Sequence, residues 1–325
     1  MDQLLCSPAI AAGLTKVEAR IRRLSGSSAL PAINAGAGHV VAAGGKRLRP
    51  AMTLAASLAL GKTPDRRVIT AAACIELIHA GSLVHDDLID RASERRGART
   101  LNAELGDGKA LVIGDFMLAR AGLAAIVNLS RPVAEVLAAA VVQLAEGQYL
   151  ETVGLFDTGR TRESALRSIT GKTAALFRAS CLVAAVCAHA PAEDRARMAT
   201  YGEKFGLIFQ VLDDLLDLTA TSAQLGKPTG NDLRQGVYSL PLLMSGIDLG
   251  GLGPSMTDEQ VTEVLREVRE SRMTADTIAY CRGLAADAVA ALPVIHDPET
   301  ATLLYGLPSA YVDHVERLTG LTIAG

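Results

Sequence analysis

Residues 83–90 read LVHDDLID, and residues 210–217 read QVLDDLLD. Each segment is an apolar run that carries the same acidic spacing, Asp-Asp-x-x-Asp. Leu, Ile and Val recur around both segments at intervals of three and four residues, which is the period of an α-helix. The two segments therefore predict two helices, each with a cluster of carboxylates.

The carboxylates within each segment are expected to repel one another. Positions i and i+4 of a helix share a face, so Asp86 lies beside Asp90 and Asp213 beside Asp217. At about 6 Å and an effective dielectric constant near 20, such a pair costs roughly 2–3 kcal/mol. Mg²⁺ would remove this cost, because it prefers oxygen ligands and bridges to substrate phosphates.

A solvated acidic surface is the alternative explanation. One acidic cluster fits that explanation about as well as it fits a metal site. Two copies of one spacing, both bordered by Leu, Ile and Val, favour acids at the mouth of an apolar cavity.

The composition predicts an all-α protein. Of the 325 residues, 49% are apolar but only 3% are aromatic, and Trp is absent. The apolar residues are mostly Ala, Leu, Val and Ile, of which Ala and Leu are strong helix formers. Sustained strand-like alternation is absent. We expect ten or more helices in one domain, residues 1–325, with breaks at residues 25–31, 61–65, 96–108, 156–161, 190–194, 219–230 and 248–258.

The net charge and the spacing of the cysteines argue against several classes of function. A net charge of −3 gives no basic surface for nucleic acid. The five cysteines form no Cys-x-x-Cys pair, which argues against a zinc site or a disulfide framework. The N-terminal residues do not resemble a signal peptide. The longest apolar stretch, residues 179–190, is shorter than a bilayer requires. We expect a cytoplasmic protein without stable membrane insertion.

Basic segments supply the cations that a phosphate site requires. Residues 44–50 read GGKRLRP, where the glycines let the backbone approach an anion closely. Residues 95–97 read RRG, and Lys172 and Lys227 flank the second acidic cluster. Each segment alone is more typical of surface charge, and the P-loop spacing is absent. Together with the acidic clusters they predict a diphosphate site.

The order of these motifs resembles the trans-isoprenyl diphosphate synthases, also called polyprenyl synthetases. The motifs are GGKRLRP, DDLID, RRG, GDF, KT, FQVLDDLLD and GKP, spread over about residues 40–245. The resemblance implies an isoprenoid-synthase-type helical bundle around a deep central cavity, assembled as a homodimer. It also implies Mg²⁺-dependent head-to-tail condensation of isopentenyl diphosphate with an allylic diphosphate in the trans configuration.

The resemblance assigns roles to individual residues. Three Mg²⁺ ions are expected in each active site, with principal ligands Asp86, Asp90 and Asp213. The supporting carboxylates are Asp87, Asp214 and Asp217. The allylic diphosphate is expected to contact Arg95, Lys172 and Lys227. The isopentenyl diphosphate is expected to contact Gly45, Lys46, Arg49, His79 and Arg96. The developing allylic cation is expected to face Gln210 and Thr173, and the departed diphosphate takes the final proton.

One departure from the family pattern concerns a cation. Many members read GKxTLP after the second acidic motif, whereas residues 236–241 here read GVYSLP. Val237 therefore stands where the family has a lysine, and one diphosphate contact is missing from that position.

Small residues before the first acidic motif bear on product length. In the family, the residues four and five positions before the first Asp form a floor, and aromatic residues there stop chain growth. Here these residues are Gly81 and Ser82, with Ile78 one turn below. We expect the hydrocarbon tail to extend toward a helix around residues 137–150, to give a C30 or longer product, and Gly81→Phe to shorten it. A geranylgeranyl (C20) or farnesyl product is the alternative.

Three other functions remain open at this point. A class I terpene cyclase also ionises prenyl diphosphates, but it carries one aspartate-rich motif and a different second metal motif. A regulatory subunit of a heteromeric synthase is expected to lose acidic motifs. A helical scaffold protein would leave the paired acids unexplained.

Overall fold

The computed structural model describes residues 2–220 and 229–320. The helices up to the centre of the chain are α1 (Asp2–Cys6), α2 (Pro8–Ser25), α3 (Pro31–Ala42), α4 (Leu48–Ala59), α5 (Arg66–Ile89), α6 (Leu101–Leu105), α7 (Asp107–Asn128) and α8 (Arg131–Val153). Those that follow are α9 (Arg162–Ile169), α10 (Ala175–Cys187), α11 (Ala192–Thr219), α12 (Asn231–Gln235), α13 (Leu240–Ser245), α14 (Asp258–Glu270), α15 (Met273–Ala291) and α16 (Pro298–Leu318). A π-helical turn, Thr170–Ala174, joins α9 to α10, and a 3₁₀ turn covers Leu249–Gly251. The predicted all-α class is confirmed.

Capping residues mark where several helices begin. The Asp65 side chain accepts hydrogen bonds from the backbone N–H groups of Arg67 and Val68 at the start of α5. Thr257 and Gln260 form a reciprocal capping box at the start of α14. These contacts satisfy N–H groups that have no partner within the helix.

Three helices form the centre of the fold. Residues 68–78 on α5 are all buried, because Ala, Ile, Val, Cys and Leu occupy nearly every side of this helix. α10 packs against both α5 and α11. α7 covers α5 from outside, and α15 covers α11. This arrangement holds the C-terminal ends of α5 and α11, which carry the two acidic motifs, on either side of one cavity.

A small hairpin follows the first acidic motif. Strand β1 (Glu94–Arg95) pairs antiparallel with β2 (Ala98–Arg99). Arg96 and Gly97 lie between them with φ values of 55° and 75°, as in the two-residue turns with positive φ that favour hairpins. The sequence analysis predicted an irregular break here and no hairpin. Gly97 is the residue that favours the tight turn, because glycine readily adopts a positive φ.

Two glycines allow the π-helical turn to pack directly on α8. A Cβ added to Gly147 on α8 would lie 2.1 Å from the backbone nitrogen of Lys172. A Cβ added to Gly171 would lie 2.6 Å from the carbonyl oxygen of Gln143. Only residues without a side chain permit this approach, which fixes the position of Lys172 and Thr173 relative to α8.

The predicted breaks at residues 25–31, 61–65, 156–161, 190–194 and 248–258 overlap segments that connect helices. The predicted break at 96–108 contains the short helix α6, because Thr100 caps it by accepting from the N–H of Ala103. Most of the predicted break at 219–230 lies outside the described residues. Connections at residues 43–47, 129–130 and 236–239 were not predicted.

Three helical segments have the length and apolar character that a membrane crossing requires. They are Arg66–Ile89, Asp107–Asn128 and Arg162–Cys187, and 83%, 39% and 72% of their apolar windows are buried within the fold. The first and third segments therefore direct most of their apolar surface into the protein. The second, α7, leaves much of its surface uncovered.

Candidate active site

The acidic motifs open onto a central cavity of about 670 Å³. Its walls come from α4, α5, α8, the π-helical turn, α10 and α11. The predicted site residues that line it are Gly45, Lys46, Arg49, His79, Ser82, Asp86, Asp90, Arg95, Arg96, Lys172, Thr173, Gln210 and Asp213. The fold thus brings thirteen predicted residues from distant parts of the chain to one cavity.

Asp86, Asp90 and Asp213 are the members of the acidic motifs that line this cavity. Asp86 lies in the last turn of α5, and Asp90 directly follows that helix. Asp213 lies two turns before the end of α11. Negative charge near a helix C-terminus opposes the helix dipole, so this position does not serve helix stability.

The other three acids of the motifs do not line the central cavity. Asp87 is buried and accepts a hydrogen bond from Nε of Arg95 at 2.6 Å. Asp214 is buried and accepts from Nε2 of Gln210 at 2.7 Å. Asp217 is buried and accepts from the backbone N–H of Asp232 at 3.1 Å, at the start of α12. These contacts connect the three acids to Arg95, to Gln210 and to the start of α12.

Burial changes the pKa values of the acids. It raises the pKa of Asp86 and Asp90, and Lys172 opposes this increase in both. Burial also raises the pKa of Asp87, against the effect of Arg95. Burial raises the pKa of Asp214 to about 7, and the Gln210 hydrogen bond opposes that rise. The site therefore holds carboxylates that are poorly neutralised by the protein alone.

Lys172 is a cation that acts on the first acidic motif. Its Nζ lies 2.5 Å from Oε1 of Glu151 on α8. Burial lowers the pKa of Lys172, but Glu151, Asp86 and Asp90 outweigh burial and raise it. Lys172 is thus charged, and it lines the same cavity as Asp213 of the second motif.

The geometry bears on how a metal ion would be held. Within residues 2–220 and 229–320, no three His, Cys, Asp or Glu side chains form a group that could hold a metal ion on their own. An ion in this cavity would instead take one or two carboxylates together with phosphate oxygens and water, which is how Mg²⁺ commonly binds. Asp86, Asp90 and Asp213 suit this arrangement because all three reach the same cavity.

A glycine turn before α4 presents backbone and Lys46 at the cavity mouth. Gly44 and Gly45 have φ values of 76° and 155°. A Cβ on Gly45 would lie 2.6 Å from Nη1 of Arg96, so glycine is needed for the hairpin arginine to approach. Arg96 donates to the carbonyl oxygen of Gly44. The hairpin and the glycine turn are therefore joined at the site.

Arg49 and His79 form a hydrogen-bonded pair within the cavity. Nη1 of Arg49 lies 3.2 Å from Nε2 of His79, and its guanidinium carbon lies 4.3 Å from the ring centre of Phe177. Burial lowers the pKa of Arg49 to about 10 and that of His79 well below its usual value. His79 is accordingly neutral, and its Nε2 accepts from Arg49.

The Gln210 amide has a fixed orientation. Its Oε1 accepts from Oγ1 of Thr173 at 2.7 Å, and its Nε2 donates to Oδ1 of Asp214 at 2.7 Å. Thr173 comes from the π-helical turn, so α11 and the turn are linked at this point. Both residues line the cavity.

The residues predicted to form the floor of the cavity face different parts of the fold. Ser82 lines the cavity. Gly81 faces α7, where an added Cβ would lie 3.2 Å from the carbonyl oxygen of Gly114 and from Cβ of Met117. Ile78 is buried in the core and is not among the cavity-lining residues. The apolar wall includes Leu144 from the helix expected to face α5, together with Leu176, Phe177 and Phe209.

Several residues of the site were not predicted from the sequence. Glu151 forms an ion pair with Lys172, and Glu76 forms an ion pair with Arg47 at 2.8 Å. Arg160 is a buried arginine next to the cavity. Glu76 and Glu151 have no charged neighbour within two residues, and Arg160 lies in a charged loop, residues 157–163, that is typical of an exposed surface, so no local pattern identifies them. Lys227 lies outside the described residues.

Comparisons with known proteins show the family of the chain. A family model described as Polyprenyl synthetase matches residues 31–248. The chain is 40% identical to the octaprenyl diphosphate synthase of Escherichia coli (strain K12) over 205 residues, which is 63% of each protein. The chain therefore spans less than two thirds of the length of that relative.

A second relative and a solved structure cover more of the chain. The all-trans-nonaprenyl-diphosphate synthase (geranyl-diphosphate specific) of Rhodobacter capsulatus is 32% identical over 287 residues, 86% of this chain and 88% of that one. The crystal structure of a polyprenyl synthase from Caulobacter crescentus CB15, complexed with calcium and isoprenyl diphosphate, superposes with a TM-score of 0.88. It is 31% identical, over 96% of this chain and 97% of that one.

Proposed function

The chain belongs to the polyprenyl synthetase family, and from this we propose that it is a trans-prenyltransferase that condenses isopentenyl diphosphate head-to-tail with an allylic diphosphate. The observation that carries the proposal is the convergence of two acidic motifs and several cations on one cavity. Asp86 and Asp90 lie at the end of α5, Asp213 lies on α11, and Lys172 lines the same cavity. Such a set matches a substrate with a highly charged diphosphate.

The acids suit Mg²⁺ held through the substrate. We expect ligation by Asp86, Asp90 and Asp213, with three ions when substrate is bound. When bound, the metal supplies charge neutralisation that lets the allylic C–O bond ionise. Asp87, Asp214 and Asp217 support this set by fixing Arg95, Gln210 and the start of α12.

The basic groups divide into two sets. Lys172 and Arg95 are expected to hold the allylic diphosphate, because each interacts with carboxylates of the first acidic motif. The resemblance assigns Lys227, which lies outside the described residues, to the same set. Gly45, Lys46, Arg49, His79 and Arg96 are expected to hold isopentenyl diphosphate, because Arg96 contacts the glycine turn and Arg49 contacts His79. This division would place the double bond of one substrate beside the reacting carbon of the other.

The walls of the cavity serve the cationic stage of the reaction. Leu144, Leu176, Phe177 and Phe209 exclude water from the carbon that becomes positive. The Oε1 atom of Gln210 and the Thr173 hydroxyl offer fixed dipoles that stabilise this charge. The isopentenyl double bond then attacks that carbon, and the departed diphosphate takes the proton that is lost.

A product of C30 or longer is supported by two observations. The relatives described above are named for octaprenyl and nonaprenyl products. Ser82, at the floor position that lines the cavity, is small. The C20 and farnesyl products remain the alternatives that product sizing distinguishes.

We also propose that the protein is a homodimer. Eight of the fourteen exposed large apolar residues in the described part of the chain lie on α7 and α8. They are Leu111, Val112, Leu123, Ile126, Val127, Val142, Tyr149 and Val153. An uncovered apolar face of this kind is typical of an interface. A single domain, a cytoplasmic location and the absence of nucleic-acid partners complete the proposal.

The experiment that tests the function uses the purified chain with an allylic diphosphate and Mg²⁺, with and without isopentenyl diphosphate. A condensing enzyme consumes the allylic substrate and forms a longer prenyl diphosphate only when isopentenyl diphosphate is present. Consumption without it would identify a cyclase. Inactivity that is relieved by another protein would identify a subunit of a heteromeric synthase.

A further inference from the structure

A buried arginine with two unpartnered guanidinium nitrogens lies beside the proposed diphosphate site. Arg160, in the connection between α8 and α9, has only 7% of its surface exposed. Its Nε and Nη1 atoms have no hydrogen-bond partner within the described residues. Burying guanidinium donors without partners is unfavourable, and an anion would complete their contacts.

The segment that carries Arg160 is fastened to the segment that carries Val237. The backbone N–H of Phe156 donates to the carbonyl oxygen of Gly236 at 2.8 Å. Phe156 has a φ of 57°, and Gly236 has a φ of 81°. A Cβ on Gly236 would lie 2.6 Å from the Phe156 ring. The residue at 236 must therefore be glycine for this close contact, which brings Arg160 and Val237 to one place.

Arg160 and Val237 line the same small cavity, which has a volume of about 100 Å³. Residues that line both this cavity and the central one are Asp90, Lys172, Thr173, Gln210, Asp232 and Gln235. The small cavity is thus an extension of the central site. Arg160 occupies it on the side of Lys172 and the acidic motifs, away from Lys46 and Arg49.

The surroundings of Arg160 keep its charge in place. Burial lowers the pKa of Arg160, and Glu151, Asp214 and Asp157 oppose that change. A guanidinium stays protonated at neutral pH in any case. Its planar donors suit the oxygens of a diphosphate, which it can contact in pairs.

We propose that Arg160 binds the diphosphate of the allylic substrate and supplies the charge of the lysine that the family resemblance places at position 237. This inference rests on the proposed function, because it assigns one more contact to the same substrate. Val237 is shorter than a lysine and uncharged, and Arg160 lines the same small cavity. The charge lost at one position is thereby supplied from another element.

The test combines substitutions at both positions. Arg160→Gln removes the charge but keeps hydrogen-bonding capacity, Arg160→Ala removes both, and Val237→Lys places a cation at the family position. Binding of inorganic diphosphate is measured calorimetrically with and without Mg²⁺. KM for the allylic substrate and for isopentenyl diphosphate, and Tm, are measured on the same proteins. Arg162→Ala is the matched control, because Arg162 is exposed and donates to the carbonyl oxygen of Leu243.

Arg160→Gln is expected to weaken diphosphate binding about tenfold or more and to raise KM for the allylic substrate while KM for isopentenyl diphosphate stays within about twofold. Val237→Lys in the Arg160→Gln protein is expected to restore most of the binding. Arg162→Ala is expected to bind like the wild type.

Two outcomes would overturn the inference. One is unchanged diphosphate binding in both Arg160 variants. The other is a lowered Tm with no recovery of binding by Val237→Lys, which would make Arg160 a structural residue. Failure of the proposed function appears separately, as a wild-type protein that elongates no primer.

Discussion

Lys172 Nζ lies 2.5 Å from Glu151 Oε1, in a contact that neutralises a cation acting on Asp86 and Asp90 of the first acidic motif. Both side chains are mostly buried, with 24% and 19% of their surfaces exposed. Glu151 also raises the pKa of Asp86 and Asp90. The fold therefore pairs Lys172 with a carboxylate at the place where we propose that it meets a diphosphate.

Glu151→Gln is expected to change anion and metal binding in opposite directions. Without the carboxylate, Lys172 is free to bind inorganic diphosphate in the absence of Mg²⁺, several-fold to about tenfold more tightly, which corresponds to about 1.4 kcal/mol or less. The loss of negative charge should weaken Mg²⁺ binding. Calorimetry measures both. Glu135→Gln is the control, because Glu135 is on the same helix but pairs with Arg131 at the surface. Equal diphosphate affinity in both variants would contradict this role.

Ser82→Phe is expected to shorten the product, because Ser82 lines the central cavity. Gly81→Phe, which the sequence suggested, is expected to unfold more easily instead. Its side chain would press on Gly114 and Met117 of α7, and overpacking of this kind typically costs about 1–3 kcal/mol or more. Product chromatography and thermal melts distinguish the two. Ser82→Ala serves as the control, and a Ser82→Phe product as long as that of the wild type would refute the floor assignment.

His79 is expected to make stability depend on pH. Its pKa is lowered in the folded protein by burial and by Arg49. The unfolded chain therefore takes up a proton near pH 6.5, while the folded chain does not. Stability is full above about pH 6.5 and falls by up to about 1.4 kcal/mol per pH unit below it, down to the folded pKa.

Melting curves of the wild type and His79→Gln between pH 8 and pH 5 check this expectation. The substitution should flatten the decline of Tm toward low pH. His314→Gln, at an exposed position on α16, should leave the decline unchanged. Parallel curves for the wild type and His79→Gln would show that His79 accepts a proton in the folded state.

The apolar face of α7 and α8 gives a prediction about assembly. Ile126 is 73% exposed on this face, and Val294 is 74% exposed in the connection between α15 and α16. Ile126→Asp is expected to shift the protein from dimer to monomer, because it would bury a charge in the interface. Val294→Asp has equal exposure and should leave the dimer intact. Light scattering measures the mass of each, and a wild type that is already monomeric would remove the basis of this proposal.

Much of the helical architecture could be predicted from the sequence, because periodicity and caps act locally. The breaks near Gly61 and near Gly250 are examples, since the glycines there end helical patterns. The hairpin at Arg96 and Gly97 was missed, because two-residue strands give no periodic signal. The π-helical turn at Thr170–Ala174 was also missed, because it depends on the packing of Gly147 against Lys172.

The candidate site also contains residues that the sequence predicted and residues that it did not. Residues in the acidic and basic motifs were predicted, because several charged residues stand together in short segments such as Asp86–Asp90. Glu151 and Arg160 were not, because each is a single charge whose importance comes from burial beside residues distant in sequence. Gly81 shows the limit of spacing arguments. The direction in which a helix residue faces depends on the neighbouring helix, and α7 covers this position.

The most direct test of the central claim is product analysis after incubation of the purified chain with labelled isopentenyl diphosphate, Mg²⁺ and each of the C5, C10, C15 and C20 allylic primers. We predict incorporation of label with at least one primer, products of C30 or longer, and a loss of rate of about a hundredfold or more in Asp86→Asn and in Asp213→Asn. Absence of labelled product with every primer would contradict the claim.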